Sequence, residues 1–189
     1  MLVDEFAYLS CMKLFDASIY KNRRQSLMQA VGNGLLFFPG AAEQPMNYKA
    51  NPYPFRQDSN FLYYFGFSHP GLCGIIDVDQ GISILVGNDA DLEEVVWMGP
   101  QPSMQDRIQK IGAEKSISTN ELSGYISGKQ VHYVQQHHAD RVLYLKDLLG
   151  KSVEEIQQAY SMPMVKAIIQ QRSHKAPEEI EQMEEALTF

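Results

Sequence analysis

The densest group of side chains that could do chemistry is the polar run Arg56-Gln57-Asp58-Ser59-Asn60. An arginine guanidinium can bind a carboxylate through two parallel hydrogen bonds, so Arg56 is a candidate carboxylate-binding residue. The other four side chains can satisfy backbone groups of a neighbouring loop. Two compatible interpretations follow. The run fixes the loop before it, or it forms part of a substrate-approach or subunit-contact surface.

The histidines and cysteines do not form a metal-binding pattern. Adjacent His137 and His138 cannot share one helix face, and on a strand they would point to opposite sides. The chain has no His-Glu-x-x-His arrangement. Cys11 and Cys73 lie too far apart to suggest a disulfide framework or a pair of metal ligands, so we expect thiols in a reducing compartment. We therefore expect no metal ligand and no cofactor site in this chain.

Patterns for a nucleophile or an acid–base pair are also weak. Ser59 lies among polar residues, but the chain has no Gly-x-Ser-x-Gly elbow and no recognisable orienting histidine. Two pairs of carboxylates, Asp89 with Asp91 and Glu93 with Glu94, are of the kind used in general acid–base catalysis. They lie in a turn-prone stretch, which favours a solvated loop. We therefore predict no catalytic residue in this chain.

Composition narrows the class of protein. The net charge of -7 argues against nucleic acid as a general partner, because phosphate binding needs clustered lysine and arginine. No apolar run approaches the roughly 20 residues that cross a bilayer, so we expect no membrane association. The first residues are acidic, whereas a signal peptide begins with basic residues. These features predict a cytoplasmic protein.

The first half of the chain predicts one helix followed by strands. Asp16 or Ser18 can cap a helix that ends near Val31, and residues 40–60 have the composition of a long irregular loop. A hairpin turn is predicted at 79–81. Short apolar or aromatic runs predict strands at 35–38, 61–67, 74–78, 82–87 and 94–98.

The second half alternates helices with short strands. Capping boxes, Ser103 with Asp106 and Ser152 with Glu155, mark two helix starts. Further helices are predicted at 119–127, 139–149, 162–172 and 178–187, and strands at 115–118 and 131–134. The two halves together predict an α/β fold with a mixed central β-sheet and helices on both faces.

Four segments, in order along the chain, carry a family resemblance. The run from Pro54 to Phe67 resembles the pattern Pro-Phe-Arg-Gln-x-Ser-x-Phe-x-Tyr-x-x-Gly-Phe of the aminopeptidase P N-terminal domain. Residues 23–27 resemble the opening helix of that domain, and 97–99 resemble its Trp-x-Gly. Residues 169–180 resemble the junction that leads into the catalytic domain.

The resemblance implies a ribonuclease H-like α/β domain followed by a "pita-bread" catalytic domain with two Mn²⁺ ions. Such an enzyme is an Xaa-Pro aminopeptidase, a hydrolase that releases the N-terminal residue preceding proline. The metal ligands would all lie beyond Phe189, and these 189 residues alone would be inactive. In such enzymes the N-terminal domain supports a homodimer or homotetramer and restricts access to short proline-containing peptides. Its other expected partner is its own C-terminal catalytic domain.

The resemblance divides the chain into an N-terminal extension at 1–15, the α/β domain at 16–172, and a linker with the start of a truncated catalytic domain at 173–189. Some relatives have a large aromatic residue where this chain has Leu62. Alternatives from related classes are a prolidase or creatinase relative, and a metal-free pita-bread protein that binds other proteins. The residues assigned to a substrate-access or subunit-contact surface are Phe55, Arg56, Gln57, Asp58, Ser59, Phe61, Leu62, Tyr63 and Trp97.

Overall fold

A computed structural model describes residues 14–48 and 50–188, apart from the side chain of Glu93. Cys11 and most of the predicted N-terminal extension lie outside the described residues. Within them, no helix is both long and apolar enough to cross a bilayer. The elements, in order, are α1 (Ala17–Val31), β1 (Leu35–Phe38), α2 (Ser59–Phe65), β2 (Cys73–Asp77), β3 (Ile82–Val86), α3 (Leu92–Met98), α4 (Met104–Ile111), β4 (Lys115–Ile117), α5 (Thr119–Ile126), β5 (Val131–His132), α6 (Ala139–Leu149), α7 (Val153–Gln158), α8 (Met162–Ser173) and α9 (Pro177–Leu187).

The strands form one five-stranded mixed sheet in the order β4-β3-β2-β1-β5. Strands β1, β2 and β3 pair antiparallel, whereas the outer strands β4 and β5 pair parallel to their neighbours. The β2–β3 hairpin turns at Gly81, whose φ of 67° suits a residue without a side chain. The predicted mixed sheet and its hairpin are confirmed.

Helices cover both faces of the sheet because successive strand residues point to opposite sides. Leu36 and Phe38 of β1 join one apolar cluster, which contains buried residues of α1, α2, α4 and α8. Leu35 and Phe37 join a second cluster, built with residues of α5, α6 and α7. The predicted fold class, an α/β fold with helices on both faces, is confirmed.

The prediction of a strand at 61–67 is wrong, because this segment contains most of helix α2. The Asp58 Oδ1 atom accepts hydrogen bonds from the backbone N–H groups of Asn60 and Phe61, at 2.9 and 3.0 Å, which caps the helix. Gly66, in the left-handed conformation, ends it. The buried residues Phe61, Tyr64 and Phe65 follow the spacing of one helix face.

The prediction of a strand at 94–98 is also wrong, because residues 92–98 form helix α3. Asp91 and Glu94 make a capping box in which each carboxylate accepts a hydrogen bond from the other residue's backbone N–H. Asp89 accepts a hydrogen bond from the backbone N–H of Met104 at the start of α4. The expected solvated loop therefore extends to Asp91, which caps α3, and its described carboxylates are exposed and have structural partners.

Several predicted helix starts are confirmed. Ser103 with Asp106 and Ser152 with Glu155 form capping boxes at the starts of α4 and α7. Smaller differences occur elsewhere. Thr119 is the predicted cap of α5, but the N-cap is Ser118, and strand β5 is limited to Val131–His132 instead of 131–134.

Candidate functional site

Gln57 fixes the long loop that precedes α2. Its side chain is buried, and its Oε1 atom accepts hydrogen bonds from the backbone N–H of Ala41, at 2.6 Å, and of Asp58, at 2.8 Å. Its Nε2 atom donates to the carbonyl of His69 at 2.8 Å. One side chain thereby joins the segments before and after the helix. Only 2% of Gln57 is exposed, so it contributes little area to the predicted surface.

Asp58 joins α2 to α6. While its Oδ1 atom caps α2, its Oδ2 atom accepts a hydrogen bond from Arg141 Nη1 at 2.6 Å. Both side chains of this ion pair are mostly buried, with 18% and 13% of their surfaces exposed. No sequence pattern pointed to Arg141, since 83 residues separate it from Asp58. Ser59 next to this pair is exposed, and it makes no contact typical of an activated nucleophile among the described residues.

Phe61 lies in the core and not on the predicted surface. It is fully buried, and its ring stacks on Phe65 with centroids 5.3 Å apart and planes 15° apart. Leu62 and Tyr63, on the same helix, are half-buried. Of the predicted surface residues on helix α2, Phe61 therefore lies in the core, and Leu62 and Tyr63 are partly exposed.

Tyr63 contacts Arg23, which connects α1 to the start of α9. The Arg23 guanidinium lies 4.0 Å from the centre of the Tyr63 ring, and its Nη1 atom donates to the Tyr63 carbonyl at 3.0 Å. Its Nη2 atom is 3.8 Å from a Glu178 carboxylate oxygen and 3.7 Å from one of Glu179. Arg23 is mostly buried, and its Nη2 atom has no hydrogen-bond partner among the described residues, so it attracts the first turn of α9 by charge, without a hydrogen bond.

Arg24 is the central polar residue of the core. Its guanidinium donates to Ser83 Oγ, to the carbonyl of Tyr64, and to the carbonyls of Ile111 and Gly112, at 2.7–2.9 Å. Only 1% of its surface is exposed, and burial lowers the pKa of Arg24 to about 10. This residue thus joins α1 to α2, β3 and the end of α4. Its only signal in the sequence was the resemblance of residues 23–27 to an opening helix.

Two grooves flank the start of α2. The larger, about 740 Å³, lies between α8 and the segment 134–138, and the smaller, about 360 Å³, is lined by residues 53–59 and part of α6. Asp58 and Arg141 line both grooves, so their ion pair forms the wall between them. Phe55 and Arg56 line the smaller groove, where Arg56 is exposed and has no carboxylate partner among the described residues.

Trp97 lies on a different surface, which lines neither groove. It is 79% exposed and stands on α3 with three other exposed apolar residues. We call Leu92, Val96, Trp97 and Met98 the α3 patch. Large exposed apolar side chains grouped on one short element are typical of contact surfaces.

The described residues do not fit a two-metal centre. None of them form a group of three or more histidine, cysteine, aspartate or glutamate side chains that could hold a metal ion. Two of the less exposed carboxylates already have cationic partners, since Asp58 pairs with Arg141 and Asp77 with Lys129. Cys73 is buried, and burial raises the pKa of its thiol, so it has the character of a structural residue.

Comparisons with known proteins place this fold and motif in a family. The family model described as "Aminopeptidase P, N-terminal domain" matches residues 20–136. An Escherichia coli Xaa-Pro aminopeptidase is 24% identical over 174 residues, which cover 85% of this chain and 40% of that protein. A probable Xaa-Pro aminopeptidase from Coccidioides posadasii is 25% identical over 96 residues, covering 51% and 20%. The chain thus spans about two fifths, or less, of the length of these relatives.

Solved structures give the same fold. Two variants of Escherichia coli aminopeptidase P, one of them in complex with substrate, superpose with a TM-score of 0.70 at 22% identity. The match covers 89% of this chain and 41% of those chains. Because the family model covers more than half of its residues, this chain belongs to the aminopeptidase P N-terminal domain family.

Proposed function

We propose that this chain is the non-catalytic N-terminal domain of a metal-dependent Xaa-Pro aminopeptidase. The intact protein releases the N-terminal residue that precedes proline, and it works in the cytoplasm. The observation that carries the proposal is the family match over residues 20–136, together with relatives that are named as Xaa-Pro aminopeptidases. These names favour this function over that of a prolidase or creatinase relative.

In this proposal the catalytic metals belong to a part of the polypeptide beyond residue 189. The donor groups of the described residues support this division, because they do not assemble a centre for two cations. Two Mn²⁺ ions in the catalytic domain would activate the water that attacks the peptide bond. In this proposal, neither the ions nor that water is bound by residues of this chain.

The proposed division of the chain places the α/β domain at 16–172 and the linker with the start of the catalytic domain at 173–189. Helix α8 ends at Ser173, and helix α9 begins at Pro177 and has no buried residue. A helix without a buried face draws little stability from the domain before it. These features support a boundary between α8 and α9.

The proposed role of the α3 patch is to contact another subunit in a homodimer or homotetramer, and so to restrict access to short proline-containing peptides. Trp97 is the largest side chain of this surface. Large aromatic residues that become buried on association contribute strongly to interfaces. Phe55, Arg56 and Ser59, around the smaller groove, form a second surface that peptides could approach.

The experiment begins with the reading frame beyond residue 189. We expect it to encode an ordered set of two aspartates, one histidine and two glutamates. The longer polypeptide, supplied with Mn²⁺, should release the first residue from a peptide with proline in second place. The longer polypeptide should not release the first residue from the matched peptide that has alanine in second place. A longer polypeptide without these ligands would instead support a protein-binding role.

A further inference from the structure

The larger groove has the character of an unfilled contact surface. Helix α8 contributes most of its apolar lining residues, including Val165, Ile168 and Ile169, whereas residues 135–138 and the start of α2 contribute polar ones. Ile169 is 62% exposed and Met162, at the groove's edge, is 46% exposed. Apolar side chains left in water on one side of a groove favour a partner that covers them.

One end of this groove carries a positive charge that the domain does not neutralise. Arg172 Nη1 donates to the amide oxygen of Asn60 at 2.6 Å, and the guanidinium lies 5.6 Å from the centre of the Tyr63 ring, so neither contact brings a negative charge to it. No carboxylate of the described residues lies within ion-pair distance of Arg172. Arg141, by contrast, pairs with Asp58. A complementary partner therefore brings apolar side chains and a carboxylate.

The position of the groove in the chain points to one occupant. Ser173, the last residue of α8, lines the groove, and only residues 174–176 separate it from α9. Arg23 Nη2 lies 3.8 Å from a carboxylate oxygen of Glu178 and 3.7 Å from one of Glu179, so the chain leaves α8 with the first turn of α9 close to α1. A segment tethered so closely has a high effective concentration at the groove.

We infer that this groove is the docking surface for the catalytic part of the longer polypeptide. That part covers Met162 and Ile169 with apolar side chains and supplies a carboxylate to Arg172. The inference rests on the proposed function, which gives the chain a catalytic domain. The relatives support a catalytic part as the occupant, because they are longer than this chain, which spans 40% of the Escherichia coli protein.

Oxidation of methionine by hydrogen peroxide, followed by mass spectrometry, tests the inference. Met162 and Met46 are equally exposed, at 46% and 47%, but Met46 does not line the groove. In the 189-residue chain the two should oxidise at similar rates. In the longer polypeptide, Met162 should oxidise about tenfold more slowly and Met46 at its former rate, since thioether oxidation follows exposure.

Two variants sharpen this test. Ile169→Glu places a charge in the groove lining, and Leu143→Glu places one on α6 at a residue that is 51% exposed and outside the groove. Both should leave the melting temperature of the 189-residue chain within about 2 °C of the wild type. In the longer polypeptide, Ile169→Glu should restore fast oxidation of Met162, and Leu143→Glu should not.

Other occupants give distinct results, each of which overturns the inference. Concentration-dependent protection of Met162 in the 189-residue chain would identify a second copy, and protection only by added peptide would identify a ligand site. An active longer polypeptide with unprotected Met162 would refute the docking surface and leave the proposed function standing. A reading frame that ended at residue 189 would refute both.

Discussion

The family motif and the α3 patch differ in how the fold uses them. Gln57, Asp58 and Phe61 have their hydrogen bonds, ion pairs or apolar contacts within the domain. Trp97 and its neighbours on α3 are exposed instead. The contacts within the domain explain the presence of these motif residues by their effect on stability, without any role in binding. The fold does not require an exposed tryptophan, so the α3 patch points more directly to a partner.

The largest effect on stability is expected at Arg24, because all of its described hydrogen bonds are made to groups inside the domain. Arg24→Met removes the donors that bind Ser83 Oγ and three backbone carbonyls in the core. Because buried acceptors would be left unpaired, the free energy of unfolding should fall by about 3–5 kcal/mol. Urea denaturation measures this loss. A loss below about 1 kcal/mol would show that water replaces the guanidinium.

A matched pair of neighbours tests the interpretation of the motif. Gln57→Met should lower the free energy of unfolding by about 2–3 kcal/mol, because the N–H of Ala41 and the carbonyl of His69 lose their partner. Arg56→Met, at an exposed residue, should change it by less than about 0.5 kcal/mol. Equal losses for the two variants would contradict the division between structural and surface residues.

Asp77, another buried residue with partners inside the domain, makes the stability of the fold depend on pH. Burial alone would raise the pKa of Asp77, but hydrogen bonds from Lys129 and Tyr125, at 2.7 Å each, hold it below its ordinary value of 3.8. A carboxyl with a lowered pKa in the folded state stabilises the fold above its unfolded pKa, and this contribution is lost as the pH falls through the lowered value.

Asp77→Asn should therefore lower the free energy of unfolding by about 1–3 kcal/mol at neutral pH. The difference from the wild type should shrink as the pH falls below about 4. Denaturation at several pH values measures it, with Asp147→Asn at a 73% exposed side chain as the control. A difference that grew in acid would refute the assigned role of Asp77.

The smallest effect on folding is expected at Trp97. Trp97→Ala should change the free energy of unfolding of the 189-residue chain by less than about 0.5 kcal/mol, because the side chain is 79% exposed. In the longer polypeptide, the same variant should weaken self-association in sedimentation experiments. A loss of several kcal/mol in the 189-residue chain would show that Trp97 belongs to the fold.

Local signals in the sequence predicted most of the elements. Apolar runs between turn residues gave β1, β2 and β3, and capping boxes gave the starts of α4 and α7. Helices α2 and α3 were mistaken for strands because short aromatic and β-branched runs fit both structures. The deciding residues were the caps Asp58 and Asp91, which lie just before each run.

The contacts of the candidate site could not be predicted in the same way. Arg141 binds Asp58 across 83 residues, and Arg24 binds the carbonyl of Ile111 across 87. Local patterns carry no information about such distant pairs, which depend on how helices pack on the sheet. The resemblance marked residues 23–27 and 54–67 as important, but burial separated the structural residues from the exposed ones.

Peptidase activity of the 189-residue chain gives the most direct test of the division between a scaffold domain and a separate catalytic part. The purified chain, supplied with Mn²⁺, should release no N-terminal residue from a peptide with proline in second place, while the longer polypeptide releases it under the same conditions. Release by the 189-residue chain, abolished by a chelator, would contradict this division.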